Sequence, residues 1–147
     1  MSDAPLQLHH LEADEPALRA AFGLMHQLRP RLVDAEAFVQ RVARQRQQGY
    51  RLLAASQDGR LLGLAGYRTL DNLIHDRFVY VDDLVTAEGA RSQGVGAALL
   101  AEVERLARAD GCAKLVLDTA LANALAQRFY FRQGLLATGL HFSRFLT

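Results

Sequence analysis

The sequence predicts an α/β domain built on a mixed β-sheet, and three observations carry that expectation. Two short strand-like runs, 50–55 and 60–67, flank Gln57-Asp58-Gly59, and Asp-Gly between such runs is a strong hairpin signal. Val95, Leu99, Val103 and Leu106 recur at spacings of four, four and three, which puts them on one face of a long helix. After that helix comes a short apolar run, 114–117, of the kind that forms a strand buried on both faces of a sheet.

The elements follow in order. Residues 6–11 alternate weakly and read as a first strand. Asp14 is an N-cap with Pro16 in the first turn, and Leu18, Phe22, Met25 and Leu28 follow at helical spacing until Pro30 ends the helix. Asp34 caps a second helix in which Phe38 and Val42 share a face, and Gly49 terminates it. The hairpin strands come next. Asp71-Asn72 breaks the chain, and 78–86 returns as a strand, giving an antiparallel run of three. The long helix from Val95 carries Glu102/Arg105 and Glu104/Arg108 on its outer face and stops at Asp110-Gly111. Residues 123–133 form the last helix, capped by Gly134, and 141–146 pair as a final strand.

At 147 residues the chain reads as one domain, 1–147, with neither repeats nor linkers, large enough to bury roughly 70% of the surface its unfolded form exposes. Half the residues are hydrophobic and the formal net charge is +1, so no broad basic field is offered to nucleic acid and no such partner is expected. The lone cysteine, Cys112, has no internal disulfide partner and reads as a small buried residue. Neither a signal segment nor a run of membrane-spanning length is evident, so the expected location is cytoplasmic, with no membrane association.

The most informative stretch joins the strand 78–86 to the long helix through Arg91-Ser92-Gln93-Gly94-Val95-Gly96. A glycine-containing loop opening a helix presents free N–H groups at the positive end of the helix dipole, which is an anion site suited to phosphate. A P-loop would need Gly-x-x-x-x-Gly-Lys-Ser/Thr, and no such run occurs. The dinucleotide fingerprint Gly-x-Gly-x-x-Gly fails at Leu99, although Asp118, roughly 20 residues on, partly restores it and keeps a NAD-binding reading open.

Arg91-x-x-Gly94-x-Gly96, after a strand reading Asp-Leu-Val, together with Asn123-x-x-Ala126-x-x-Phe129-Tyr130-x-x-x-Gly134-Leu135, resembles the GNAT superfamily of acetyl-coenzyme A dependent N-acetyltransferases. The resemblance implies a GNAT-type mixed central sheet with a splayed parallel strand pair, flanked by about four helices. It also implies acetyl-CoA as cosubstrate, no metal, a small-molecule or peptide amine as acceptor, and a homodimer as one expected assembly. Main-chain groups of Leu84 and Val85 would pair with the pantetheine arm. Arg91, Ser92 and the amides of Gln93, Gly94, Val95, Gly96 and Ala97 would hold the pyrophosphate, while Asn123 and Ala126 border the arm. Tyr130 would protonate the leaving thiolate. The segment joining the first two helices borders the acceptor pocket in this family, so Met25, Arg29 and Arg31 are expected there, with Tyr67.

Deprotonation of the acceptor ammonium is assigned to Asp82 or Asp83. Acids are unfavourable in mid-strand, which singles the pair out. Neighbours on a strand point to opposite faces, so only one can face the acceptor unless a bulge redirects them, and Asp82 is favoured. A carboxylate there favours a cationic acceptor. The rival reading is a catalytically silent acyl-CoA binding module.

Overall fold

The computed structural model describes residues 3–12, 14–91 and 93–147. They fall into two compact units, Met1–Val116 and Leu117–Thr147. Three helices open on a side-chain acceptor. Asp14 accepts from the Ala17 N–H to start α1 (Glu15–Leu28), Asp34 from Ala37 to start α2 (Ala35–Arg46), and Asn123 from Ala126 to start α4 (Ala124–Arg132). The long helix α3 (Val95–Ala109) opens instead on Gly94, which has no side chain to offer. At their other ends α2, α3 and α4 close alike, with Gly49, Gly111 and Gly134 in the left-handed region. In each case the residue after the glycine donates back across the last turn, as Tyr50 does to the Gln45 carbonyl at 3.0 Å.

The first unit is built on a five-stranded sheet in the order β1 (Gln7–His10), β2 (Arg51–Gln57), β3 (Arg60–Asn72), β4 (Asp76–Thr86), β5 (Lys114–Leu117). The first four strands are antiparallel, and β4–β5 is parallel, so the sheet is mixed. Asp58 and Gly59 both have positive φ, 54° and 73°, which is the twist a two-residue hairpin requires.

One face of the sheet carries α1 and α2. Leu18, Met25, Phe38 and Val42 pack there on Leu52, Ala54, Leu64 and Val85. The other face carries α3. A side chain at Gly63 would put Cβ 2.8 Å from both Leu99 Cδ1 and Val95 Cγ1, so glycine lets this helix lie directly on β3. Adjacent residues of β3 thus serve opposite layers.

A β-bulge interrupts the β3–β4 register. Gly66 lies opposite Asp83 and Tyr67 opposite Val81, which leaves Asp82 as the extra residue. Val81 shares the α3 face with Tyr67. Asp83, two residues on, shares the α1/α2 face with Gly66. Without the bulge the two would point the same way.

Several expectations are corrected. β3 runs past the predicted break to Asn72, whose side-chain oxygen accepts from the Ile74 and His75 amides to form the turn. β5 is the outermost strand of the sheet, and its residues are exposed or half-buried rather than covered on both faces. Cys112 is half-buried and precedes β5 in a loop. Residues 141–146 form no strand. Phe142 and Phe145 are three apart, out of phase with a period of two, so the run has no single apolar stripe to bury, and Phe142, Phe145 and Leu146 stay exposed. Among the described residues, no helix is long and apolar enough to cross a membrane.

Candidate active site

A cleft of ≈ 360 Å³ opens on the α1/α2 face of the first unit. Met25 and Arg29 reach it from the end of α1, Arg31 and Leu32 from the connection, and Phe38, Arg41 and Gln45 from α2. Positions 38, 41 and 45 fall on one helical stripe, so a single face of α2 forms a wall. Tyr50 and Asp83 complete the lining from the sheet.

Local sequence accounts for this placement. Pro30 forces Arg29 out of the helix, to φ −122° and ψ 74°, so its side chain leaves the end of α1 in a new direction. The Gly49 cap sets Tyr50 at the mouth of β2. Gly66 makes room for it, since a Cβ there would come within 1.9 Å of the Tyr50 hydroxyl oxygen. The Tyr50 hydroxyl donates to Asp83 Oδ2 at 2.8 Å, and Arg29 Nε donates to Asp83 Oδ1 at 2.9 Å. Burial, with the Asp83 carboxylate beside it, pushes the Tyr50 phenol well above its ordinary pKa, so it stays a neutral donor. Asp83 therefore keeps a fixed orientation with one lone pair on each oxygen still available.

Asp82 is held differently. Arg68 grips its carboxylate through two bonds, Nη2 to Oδ1 at 2.7 Å and Nε to Oδ2 at 3.0 Å, and reaches on to Gln48. Arg29 Nη2 donates to the Asp82 carbonyl at 2.7 Å, satisfying a backbone group in the bulge. The structure thus aims Asp83 into the cleft and ties Asp82 to Arg68. The sequence reading favours Asp82 of the two.

Met25, Arg29 and Arg31, grouped together by the sequence reading, all line this cleft. Tyr67 does not. It points to the α3 face, buried, with its hydroxyl 2.7 Å from His10 Nε2, and burial raises its pKa. The sequence reading missed Tyr50, Arg41 and Gln45. The only advance signal for Tyr50 was its position after a helix-capping glycine.

The loop before α3 begins with a 3₁₀ turn, Glu88–Ala90, followed by Arg91. Ser92 lies outside the described residues. The Gln93 amide donates to the Ala90 carbonyl and its side chain to the Gly89 carbonyl, both at 3.2 Å, so that amide is already engaged within the turn. Gly94 sits at φ 77°, and a Cβ built on it meets nothing within 4 Å. The first bond inside the helix is Ala98 N–H to the Gly94 carbonyl at 3.0 Å, leaving Val95, Gly96 and Ala97 as first-turn donors with no side-chain cap at the Gly94 position. No acidic residue stands in that first turn. Such an end fits a phosphate. β4 also runs on past the four-residue β5, so Leu84 and Val85 follow the stretch of β4 that starts beside Ala113.

In the second unit Asn123 caps α4 through its side-chain oxygen, 3.1 Å from the Ala126 nitrogen. Tyr130 stands edge-on to Phe129, with ring centres 5.4 Å apart, and partial burial raises its pKa.

The model of the acetyltransferase (GNAT) family matches residues 11–135. An aminoglycoside N(6′)-acetyltransferase type 1 from Serratia marcescens is 39% identical over 59 residues, 40% of each chain. The match therefore spans about 40% of that curated relative's length. Among solved structures, an aminoglycoside N-acetyltransferase in complex with CoA superposes with a TM-score of 0.84 at 20% identity, over 99% of this chain and 98% of the other. An acetyltransferase from Trypanosoma brucei gives 0.78 at 21% identity, over 97% and 100%. Glucosamine-6-phosphate N-acetyltransferase from Arabidopsis thaliana gives 0.76 at 16%, over 97% and 99%.

Proposed function

We propose that this chain, which belongs to the acetyltransferase (GNAT) family, transfers an acetyl group from acetyl-CoA to a primary amine by direct attack of the amine. The observation that carries the reading is the contrast among its helices. Three are capped by their own side chains, and α3 opens on a bare glycine, with no side-chain cap and no acidic residue in its first turn.

When bound, acetyl-CoA supplies an activated thioester carbonyl, so the chain needs no nucleophile of its own. The amides of Val95, Gly96 and Ala97 hold the pyrophosphate, with Arg91 adding charge beside them. The end of β4 at Leu84 and Val85 offers main-chain groups to the pantetheine arm. Asp83 receives the acceptor. Its carboxylate, fixed by Tyr50 and Arg29, orients the amine and takes up its proton directly or through one water. Arg68 keeps Asp82 as a brace for the bulge. Family resemblance assigns the thiolate proton to Tyr130 Oη, and the border of the arm to Asn123 and Ala126.

The test separates the two aspartates. Asp83→Asn keeps the shape but weakens the hold on the amine, and kcat/KM for the acceptor is expected to fall by about 10- to 100-fold, the worth of one hydrogen bond to a charge. Affinity for acetyl-CoA should not change. Asp82→Asn should act chiefly on stability, because it leaves the half-buried Arg68 guanidinium without its carboxylate. Kinetics and melting curves for both variants check the assignment, and the opposite pattern would return the acceptor role to Asp82.

The silent-module reading is tested in the same assay. A binder would be stabilised by acetyl-CoA yet release no thiol with any amine. The Serratia relative makes aminoglycosides one amine class to include.

A further inference from the structure

We infer that the acceptor carries an anionic group as well as its amine, a carboxylate or a phosphate, and that Arg31 and Arg41 hold that group in the cleft. This rests on the acetyltransferase reading, and it names the class of acceptor.

The cleft is lined by three guanidinium groups and one carboxylate. Arg29 is committed to Asp83 and to the Asp82 carbonyl. Arg68 neutralises Asp82. That leaves Arg31 and Arg41, and among the described residues neither has a carboxylate within ion-pairing distance. Nearby cations are treated otherwise. Arg19 pairs with Glu36, and Arg46 and Arg51 share Glu12. The sequence of α2 denies Arg41 a partner, since its neighbours one turn away are Ala37, Phe38, Arg44 and Gln45. The carboxylate nearest Arg31 in sequence, Asp34, caps α2.

Two arginines lining one cleft suit one oxyanion. The guanidinium fork matches a carboxylate or phosphate through paired hydrogen bonds. Met25 and Phe38 line the same cleft and are buried, and an apolar lining strengthens such contacts. Asp83 lies in the same cleft and faces the ammonium. Opposite charges thus stand ready for the two ends of a small zwitterion, and the volume is in the range of a small-molecule site. A polycation without an anion would meet Arg31 and Arg41 as repulsion.

The test compares glycylglycine, phosphoethanolamine, glycylglycinamide, putrescine and an aminoglycoside as acceptors at saturating acetyl-CoA, followed by thiol release. At least one of the two anionic amines is expected to exceed the amide in kcat/KM by about tenfold, and their order tells carboxylate from phosphate. The double variant Arg31→Gln/Arg41→Gln should erase that preference, bringing the anionic amines down to the amide, with affinity for acetyl-CoA unchanged. Equal or better turnover of putrescine, the amide or the aminoglycoside by the native protein overturns the inference. So does a double variant that loses affinity for acetyl-CoA instead, since the arginines would then serve the cosubstrate. Calorimetry with glycylglycine and phosphoethanolamine gives a readout free of catalysis. Binding that disappears in the double variant supports the anion site even where no thiol is released, and no binding of either overturns it. Absence of thiol release with every amine would overturn the acetyltransferase reading alone.

Discussion

Tyr130→Phe is expected to lower kcat by about 10²- to 10⁴-fold, the usual worth of a positioned acid. The substitution keeps the ring and its edge-on contact with Phe129, removing only the hydroxyl. A thiolate leaving group needs a proton, and burial raises the Tyr130 pKa, so the group is protonated across the neutral range. The sign matters. An acid with a raised pKa loses activity only as pH climbs through that higher value, so no descending limb in the neutral range should belong to it. Affinity for acetyl-CoA should barely move, since one neutral hydrogen bond contributes about 1 kcal/mol. Single-turnover kinetics alongside calorimetry check both halves. A kcat within a fewfold of native, where chemistry limits the rate, would reduce Tyr130 to a packing aromatic and leave the proton to water.

Gly94→Val should weaken acetyl-CoA binding by about 100-fold, equivalent to losing one or two hydrogen bonds to a charged group. Two effects add. Gly94 sits at φ 77°, where a β-branched residue is strained by about 1–2 kcal/mol, and the new methyl groups occupy open space at the opening of α3, where the phosphate is proposed to bind. Gly94→Asn separates them, because asparagine tolerates the left-handed region yet still adds bulk. Calorimetry should find weak binding in both variants, with the lower melting temperature in Gly94→Val. Native affinity in either one would remove the loop from the phosphate site.

Much of this was legible in the sequence because local chemistry determined it. Asp14, Asp34 and Asn123 announced three helix starts, and Gly49, Gly111 and Gly134 three helix ends, each by a mechanism that works within a few residues. The glycine that opens α3 was legible for the same reason. What failed was non-local. Tyr50 reads as the first residue of a strand until Gly66, sixteen positions on, is seen to leave a slot for its ring. Tyr67 was assigned to the acceptor, yet the layer a strand residue faces depends on register, and register placed it under α3. The choice between Asp82 and Asp83 turned on one extra residue that no local pattern reveals. The tail showed the converse. It was expected to pair as a final strand, but Phe142 and Phe145 are out of phase and stay exposed.

The bulge has a consequence resembling a reading frame. Upstream of Asp82 the odd-numbered residues of β4 face α3; downstream they face α1 and α2. The extra residue is thus a spatial frameshift. Deleting Asp82 would make Val81 and Asp83 neighbours in an uninterrupted ladder. Neighbours on a strand face opposite layers, so Val79 and Val81 would keep the α3 face, and Asp83 and Val85 the cleft face. What the deletion removes is the carboxylate that Arg68 grips and the carbonyl that Arg29 holds. Thermal melts should therefore find the Asp82 deletion folded, at a lower melting temperature than the native chain. The phase of β4, more than the identity of any one side chain in it, would then be what keeps a carboxylate in the cleft.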